Sequence, residues 1–421
     1  MAFSSIMPPS TYSVRARWVL PVRGAPIPGG SVCVEQARIR EIHAGSVSEP
    51  MHDFSDAVIL PALANAHTHL ELTNQTQLRP DGATDFPQWL DQVIEFRKSE
   101  RVSDSGSAAK SRIDAIASGL KQSHQSGTGQ IADIASLPID DAISAYHGAR
   151  GICFAECLDA RSESSSELES EFARFSTNLQ QLDTTLASGM SPHSPYTVSP
   201  QLLGHAVQCA QKWNWPLAMH LAESETEMTL LANANGKLVD VLAAHGAWQP
   251  ERMSGRRTPL DILRQLAKAP RALVIHGNYL GPDDYELLAA NRDQLAVVYC
   301  PRTHAAFPNR PYPLHAMLEN KVRVLLGTDS LATNPSLSVL EELAYCRHRQ
   351  PSISPGKLIE MATIDYWDWA GIGATSGFVP GAEADFIVVS LPDPNDPYSF
   401  LQEPTPRVLW RNRNEIDEST G

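Results

Sequence analysis

Asn65-Ala66-His67-Thr68-His69-Leu70 follows directly on a hydrophobic run, Val58-Ile59-Leu60-Pro61-Ala62-Leu63. In an extended strand residues i and i+2 share a face, so His67 and His69 aim both imidazoles at one point. A His-x-His pair alone is a weak metal signal, and its weight depends on donors at the ends of later strands. Such endings recur. Pro216-Leu217-Ala218-Met219 runs into His220-Leu221-Ala222-Glu223, Ala272-Leu273-Val274-Ile275 into His276-Gly277, and Val324-Leu325-Leu326 into Gly327-Thr328-Asp329-Ser330. Two more apolar runs end in Ser191-Pro192-His193-Ser194-Pro195-Tyr196-Thr197 and in Cys300-Pro301-Arg302-Thr303-His304.

Strand-length apolar runs alternate with longer helical stretches, such as Ile113 to Leu120 and Leu230 to Leu242, which is the pattern of repeated βα units. Eight strands are predicted, beginning near Asn65, Gln130, Gly151, Ser188, Leu217, Ala272, Ala296 and Val322. Eight parallel strands in this alternation predict an α/β fold, a (β/α)8 TIM-like barrel over 61–377, with its chemistry at the C-terminal strand ends. Before it, Val32-Cys33-Val34 and Ile39-Arg40-Glu41-Ile42 alternate between turns at Pro28-Gly29-Gly30 and Gly45. Near the other end, Gly381-Ala382-Glu383-Ala384-Asp385 precedes the strand-like Phe386-Ile387-Val388-Val389. Residues 1–60 and 378–421 are therefore expected to assemble one small β-sandwich domain from both termini. Glu100 to Ser111, rich in Ser, Lys and Asp, reads as an exposed loop, and Asn334-Pro335 as the N-cap and first position of a helix through Leu340 and Leu343.

The chain has 421 residues, 42% of them hydrophobic and 19% charged, and a formal charge of −14. It contains no run of eighteen apolar residues and no basic-then-apolar start, so no membrane partner is expected and the location expected is cytoplasmic. The negative balance argues against nucleic acid, which draws on clustered Lys and Arg. The six cysteines lack a Cys-x-x-Cys pair and read as reduced, buried packing residues.

His67, His69 and His220 with the Asp329 carboxylate make a nitrogen-and-oxygen ligand set suited to one divalent ion, Zn2+ first and Fe2+ second. Zinc lowers the pKa of water from about 15.7 to about 7, providing hydroxide at neutral pH without a strong base nearby. Asp329 is placed to hold that water and receive its proton. His276 either orients the nucleophile and stabilises the oxyanion or serves as a fourth histidine ligand. Glu223, three residues beyond His220, is the candidate acid, provided that partial burial raises its pKa. Arg302 and His304, at a strand end, are candidates for substrate selection. Glu71, two residues past His69, is a candidate to bind substrate or support a ligand, and Trp89, on a helix after the first strand, to pack or line the pocket rim.

With these motifs in place, the chain resembles the amidohydrolase superfamily, in its cytosine deaminase-like and chlorohydrolase-like branch, which includes guanine, S-adenosylhomocysteine and aminofutalosine deaminases. Asn-Ala-His-Thr-His-Leu, Ser-Pro-His-Ser-Pro-Tyr-Thr-Val-Ser-Pro, His-Leu-Ala-Glu-Ser, His-Gly-Asn-Tyr-Leu, Cys-Pro-Arg-Thr-His and Gly-Thr-Asp-Ser occur in the family's order over Val58 to Val389. The resemblance implies a barrel with a β-sandwich from both termini, a single divalent metal, the roles just given to His67, His69, His220, Glu223, His276 and Asp329, and substrate contact by His193. It departs from the pattern after the seventh strand, where many deaminases of the branch read Cys-Pro-x-Ser-Asn and this chain has Thr303-His304. No lysine that could bridge two metals stands at the end of the fourth strand, which favours a mononuclear site. The expected activity is hydrolytic deamination of an amino-substituted heterocycle, a purine or nucleoside-like small molecule, with release of ammonia. Chloride displacement or cyclic-amide hydrolysis is the alternative within the superfamily, and a non-catalytic metal- or small-molecule-binding barrel the alternative outside it. A homodimer is a common arrangement among such relatives.

Overall fold

The computed structural model describes residues 11–45, 51–102, 105–158, 165–182, 185–250, 257–372 and 378–412. The chain divides into two compact units, one of residues 1–64, 124–129 and 338–421, the other of residues 65–123 and 130–337.

In the first unit, β1 (Thr11–Val19), β2 (Ile27–Pro28), β3 (Gly30–Glu35), β4 (Arg38–Ala44) and β5 (Met51–Pro61) come from the N-terminal segment. β1 pairs antiparallel with β3 and parallel with β5, and β3 pairs antiparallel with β4.

The second architecture is the eight-stranded parallel sheet, in strict sequence order: β6 (Leu63–Thr68), β7 (Thr128–Ser136), β8 (Arg150–Cys157), β9 (Thr185–Pro192), β10 (Leu217–Leu221), β11 (Ala272–His276), β12 (Leu295–Tyr299) and β13 (Val324–Leu326). All eight coincide with the runs expected from the sequence. β10, β11, β12 and β13 are buried along their whole length, which is why they read as continuous apolar runs and not as alternating ones. The first and last strands meet through a parallel bridge between Thr68 and Asp329, with the amides of Thr328 and Asp329 donating to the His67 carbonyl at 3.1 and 2.9 Å. Buried Asn65 supports this closure: its side chain accepts from the Thr328 amide at 3.0 Å and donates to the Thr328 hydroxyl at 2.8 Å. Gly327 is required here, because a Cβ would lie 2.9 Å from the His67 nitrogen and 3.0 Å from its Cβ.

The C-terminal strands β14 (Phe386–Ser390) and β15 (Val408–Asn412) complete the mixed sheet of the first unit, in the order β15-β14-β5-β1-β3-β4 with β2 beside β1. β14 runs antiparallel to β5, Phe386 opposite Pro61, so both ends of the sequence contribute to one sheet as expected. Its core alternates along the strands: Val14 and Ala16 with Val32, Val34, Ile59, Phe386 and Val388.

Two local expectations are corrected. Glu100 to Ser111 is not a loop: apart from residues 103–104, which lie outside the described residues, it belongs to the helices Phe86–Val102 and Ser105–Gln125. Ser107, Lys110 and Ser111 are exposed on the helical surface, and the polarity reported exposure without reporting conformation. Asn334 is not an N-cap. It is fully buried, donates to the Thr328 carbonyl at 2.6 Å and accepts from the Ser336 amide, so it ties down the loop after β13. The helix opens later, at Val339, where the Ser338 hydroxyl accepts from the Glu341 amide. All six cysteines are buried thiols, as expected.

Candidate active site

His67 sits in the last turn of β6 and His69 just beyond it, so the strand's two-residue repeat does present both rings to one side. Their ring centroids are 4.8 Å apart, and His220, at the end of β10, lies 5.0 Å from His67 and 5.4 Å from His69. His69 Nε2 and His220 Nε2 face each other at 3.3 Å. Asp329 Oδ1 is 3.6 Å from His67 Nε2 and 4.0 Å from His69 Nε2. His276, at the end of β11, forms a three-donor group with His67 and His220, whose ligand atoms lie within 4.8 Å of one another, as do those of His67, His69 and Asp329.

This donor set fits a divalent cation. Both ring nitrogens of His67 are buried without a hydrogen-bond partner, an arrangement that is costly for an imidazole unless a nitrogen has a ligand of another kind. His220 Nδ1 lies 3.0 Å from the His193 carbonyl, which can only accept, so the proton sits on Nδ1 and the Nε2 lone pair faces the cluster. Burial, with the neighbouring rings adding to it, holds His67 and His69 well below the ordinary imidazole pKa, and burial lowers His220 as well. The rings are therefore neutral at pH 7, the form that ligates metal. Two other three-donor groups occur among the described residues, Cys33 with Glu41 and His43, and Glu169 with His205 and Cys209. In each the carboxylate already pairs with a cation at 2.8 Å, Arg40 on Glu41 and Lys212 on Glu169.

Beside the cluster, Glu223 Oε1 lies 3.3 Å from His276 Nε2. Burial pushes the Glu223 carboxyl well above its usual range, and the carboxylates of Asp329 and Glu227 push it further. Burial holds His276 well below the ordinary imidazole value. Burial thus favours the protonated carboxyl, next to a neutral imidazole. Glu223 is 7% exposed, which supplies the burial that the acid role requires.

The backbone at these strand ends is strained. Ala222, His276 and Asp329 all have left-handed φ, at 55°, 69° and 59°. Each such residue costs about 1–3 kcal/mol and persists only where surrounding bonds over-determine it. Glu227, fully buried, supplies some of them: its carboxylate accepts from the amides of Ala222 at 2.8 Å and Glu223 at 2.7 Å. Asn278 donates to the Glu223 carbonyl at 2.7 Å. Asp329 accepts from the Ser330 amide at 2.7 Å and the Thr333 hydroxyl at 3.2 Å. Glu227 and Asn278 escaped the sequence reading. The only signal for Glu227 is that it ends an alternating acidic run, Glu223, Glu225 and Glu227, which equally suits a helix N-terminus.

The expected substrate residues divide. His193 stands at the cluster, its ring 5.0 Å from that of His220, with Nδ1 2.7 Å from the Thr197 hydroxyl. Trp89 packs with Phe86 and Phe307 in an aromatic group and donates to the Ala332 carbonyl. Arg302 donates to the carbonyl and hydroxyl of Ser336, and His304 Nε2 donates to the Arg310 carbonyl at 3.0 Å. Glu71 is buried with its carboxylate held by Arg112 at 2.7 Å, Arg97 at 3.2 Å and the Ser136 amide at 3.1 Å.

Asp133, on β7, was not foreseen either. It is fully buried, accepts from the Leu70 amide at 2.8 Å and from the Tyr146 hydroxyl, and so anchors the turn that follows His69. Burial raises its pKa from 3.8 to about 8. Because the folded value lies above the unfolded one, the linked stability is fully present below pH 3.8 and is lost as pH rises to about 8. Asp133→Asn keeps an acceptor for Leu70 and does not titrate. Its melting temperature should therefore gain on the wild type between pH 5 and 8 in paired thermal scans; a constant difference across that range would show that Asp133 does not carry the linkage.

The amidohydrolase family model matches residues 58–416. An aminodeoxyfutalosine deaminase from Deinococcus radiodurans is 29% identical over 358 residues, 80% of each chain. A 5-methylthioadenosine/S-adenosylhomocysteine deaminase from Pyrococcus furiosus is 25% identical over 88% of this chain and 85% of its own length. Among solved structures, the aminofutalosine deaminase of Helicobacter pylori in complex with methylthio-coformycin superposes with a TM-score of 0.77 at 20% identity, covering 95% of this chain and 98% of that one.

Proposed function

The chain belongs to the amidohydrolase family, and from that membership we propose that it is a zinc-dependent deaminase which hydrolyses the exocyclic amine of an adenosine-like nucleoside and releases ammonia. The observation that carries the reading is the Glu223–His276 pair, 3.3 Å apart, set directly against the His67, His69, His220 and Asp329 donors. Those four donors would hold the ion, three nitrogens and one oxygen being a zinc-compatible set. When bound, the cation supplies Lewis-acid activation of water.

The remaining chemistry belongs to side chains. Asp329 accepts the proton of the attacking water. Glu223, kept protonated by burial, donates to the ring nitrogen next to the carbon under attack, so that the ring does not build up negative charge. His276, neutral and within reach of Glu223, orients the nucleophile and steadies the developing oxyanion. Glu223, with His276 beside it, then passes the hydroxyl proton of the intermediate to the amine, the C–N bond breaks to release ammonia as the carbonyl forms, and the proton left on Asp329 is lost as Glu223 regains one. His193 beside the cluster and the aromatic group at Trp89 are the proposed substrate contacts, while Arg302, His304 and Glu71, engaged with protein groups, shape the surrounding loops.

Metal analysis of the purified chain followed by ammonia release tests this. Adenosine, 5′-substituted adenosines, guanine and cytosine would be compared at equal concentration. About one zinc per chain, with turnover of adenosines above the other bases, is expected; turnover of none, or of guanine or cytosine alone, would overturn the assignment.

A further inference from the structure

Between the short helix Pro301–Ala306 and the helix Leu314–Glu319 runs Phe307-Pro308-Asn309-Arg310-Pro311-Tyr312-Pro313, three of whose seven residues are proline. Proline restricts the backbone before any tertiary contact forms, so little conformational entropy is left to lose when this segment is fixed. It is clamped to the loop that follows β11. The Arg310 guanidinium lies 4.7 Å over the Tyr279 ring and donates to the carbonyls of Asn278 and Leu280, both at 3.3 Å. The Tyr279 hydroxyl donates to Asn309 at 3.2 Å. His304 holds the segment from its own side, through the Arg310 carbonyl.

At the end of this strap Tyr312 is buried and stacked on Tyr299, ring centroids 3.7 Å apart and planes 12° from parallel. Its hydroxyl donates to the backbone carbonyl of His276 at 2.9 Å. That carbonyl belongs to the residue at φ 69°, where the chain leaves β11 and where Gly277 at φ 64° continues the left-handed turn. A histidine stays there only if bonds elsewhere compensate, and the Tyr312 hydroxyl forms one directly on the strained peptide. We propose that Tyr312 is a positioning residue: its hydroxyl holds the left-handed turn at His276 and thereby sets the imidazole against Glu223, and the clamp of His304, Asn309 and Arg310 delivers that hydroxyl. This rests on the role given to His276 above. It also assigns a purpose to His304, which stands where many deaminases of the branch carry asparagine.

Tyr312→Phe removes the hydroxyl and keeps the ring that stacks on Tyr299. With the best substrate of the ammonia-release panel, kcat should fall roughly 3- to 10-fold, the effect of one buried hydrogen bond, while KM stays within about 2-fold. The melting temperature and zinc content should stay close to wild type. Independently of turnover, long-range 1H–15N spectra of histidine-labelled protein report the His276 ring, its signal identified by its loss in His276→Asn. That signal should move in Tyr312→Phe. An unchanged kcat with an unmoved His276 signal would overturn the proposal, as would losses in kcat and KM that merely follow a lowered melting temperature. If the wild type released no ammonia from any substrate, the deaminase reading would fail, and the His276 signal would still decide for or against Tyr312.

Discussion

Glu223→Gln should lower kcat/KM for the amine substrate by roughly 10²–10⁴-fold, the range expected when a positioned general acid is removed. The substitution is nearly isosteric. The Glu227 bonds to the Ala222 and Glu223 amides and the Asn278 bond to the Glu223 carbonyl all involve backbone and survive it. Folding should therefore be unaffected, and the loss should fall on kcat. The pH profile supplies a second reading. Glu223 is active in its protonated form, and its pKa is raised by burial, so wild-type activity should decline as pH rises through that raised value; the alkaline limb should be absent in Glu223→Gln. A substrate carrying chloride in place of the amine still needs its ring nitrogen protonated but no proton for its leaving group, and should lose less. Equal losses for amine and chloride would remove Glu223 from proton delivery to the amine, and unchanged turnover of both would remove it from the acid role.

His67→Ala should abolish turnover and leave the purified chain with much less than one zinc. His67 is fully buried, both of its ring nitrogens lack hydrogen-bond partners, and it belongs to both donor groups at this site. Ligand binding stabilises a fold by RT ln(1 + [L]/Kd), about 4.1 kcal/mol at a thousandfold excess over Kd. Stripping zinc from the wild type with a chelator should thus lower its melting temperature, and added zinc should restore both stability and activity. Added zinc should restore neither in His67→Ala. A variant that kept a full equivalent of zinc would show that the ion sits elsewhere. The chelated wild type serves as the control for the cavity that the substitution leaves.

Much of this architecture was legible because buried parallel strands leave a plain trace. A run such as Ala272-Leu273-Val274-Ile275 is apolar on both faces, and the first polar residue after it marks the strand's C-terminal end. In a barrel those ends share one rim, so reading them in order amounts to reading the site. Polar segments were less legible. Glu100 to Ser111 announced solvent exposure, which a helix surface satisfies as well as a loop does, and Asn334-Pro335 carried a capping signal that the loop after β13 uses for its own closure.

By itself the sequence determined the eight strands, a β domain drawing on both termini and the polar residues that end the strands, because hydrophobic periodicity and residue chemistry are local properties. Only the tertiary structure decided which groups face one another. It placed Glu223 against His276, gave Glu71 to Arg97 and Arg112, and turned His304 towards the Arg310 carbonyl. It also revealed Glu227, Asp133 and Tyr312, whose work is to hold the backbone beside the site. Hydrogen bonds to main-chain amides and carbonyls can be supplied by any residue that folding brings within about 3 Å, so they leave no spacing in the sequence from which to read them.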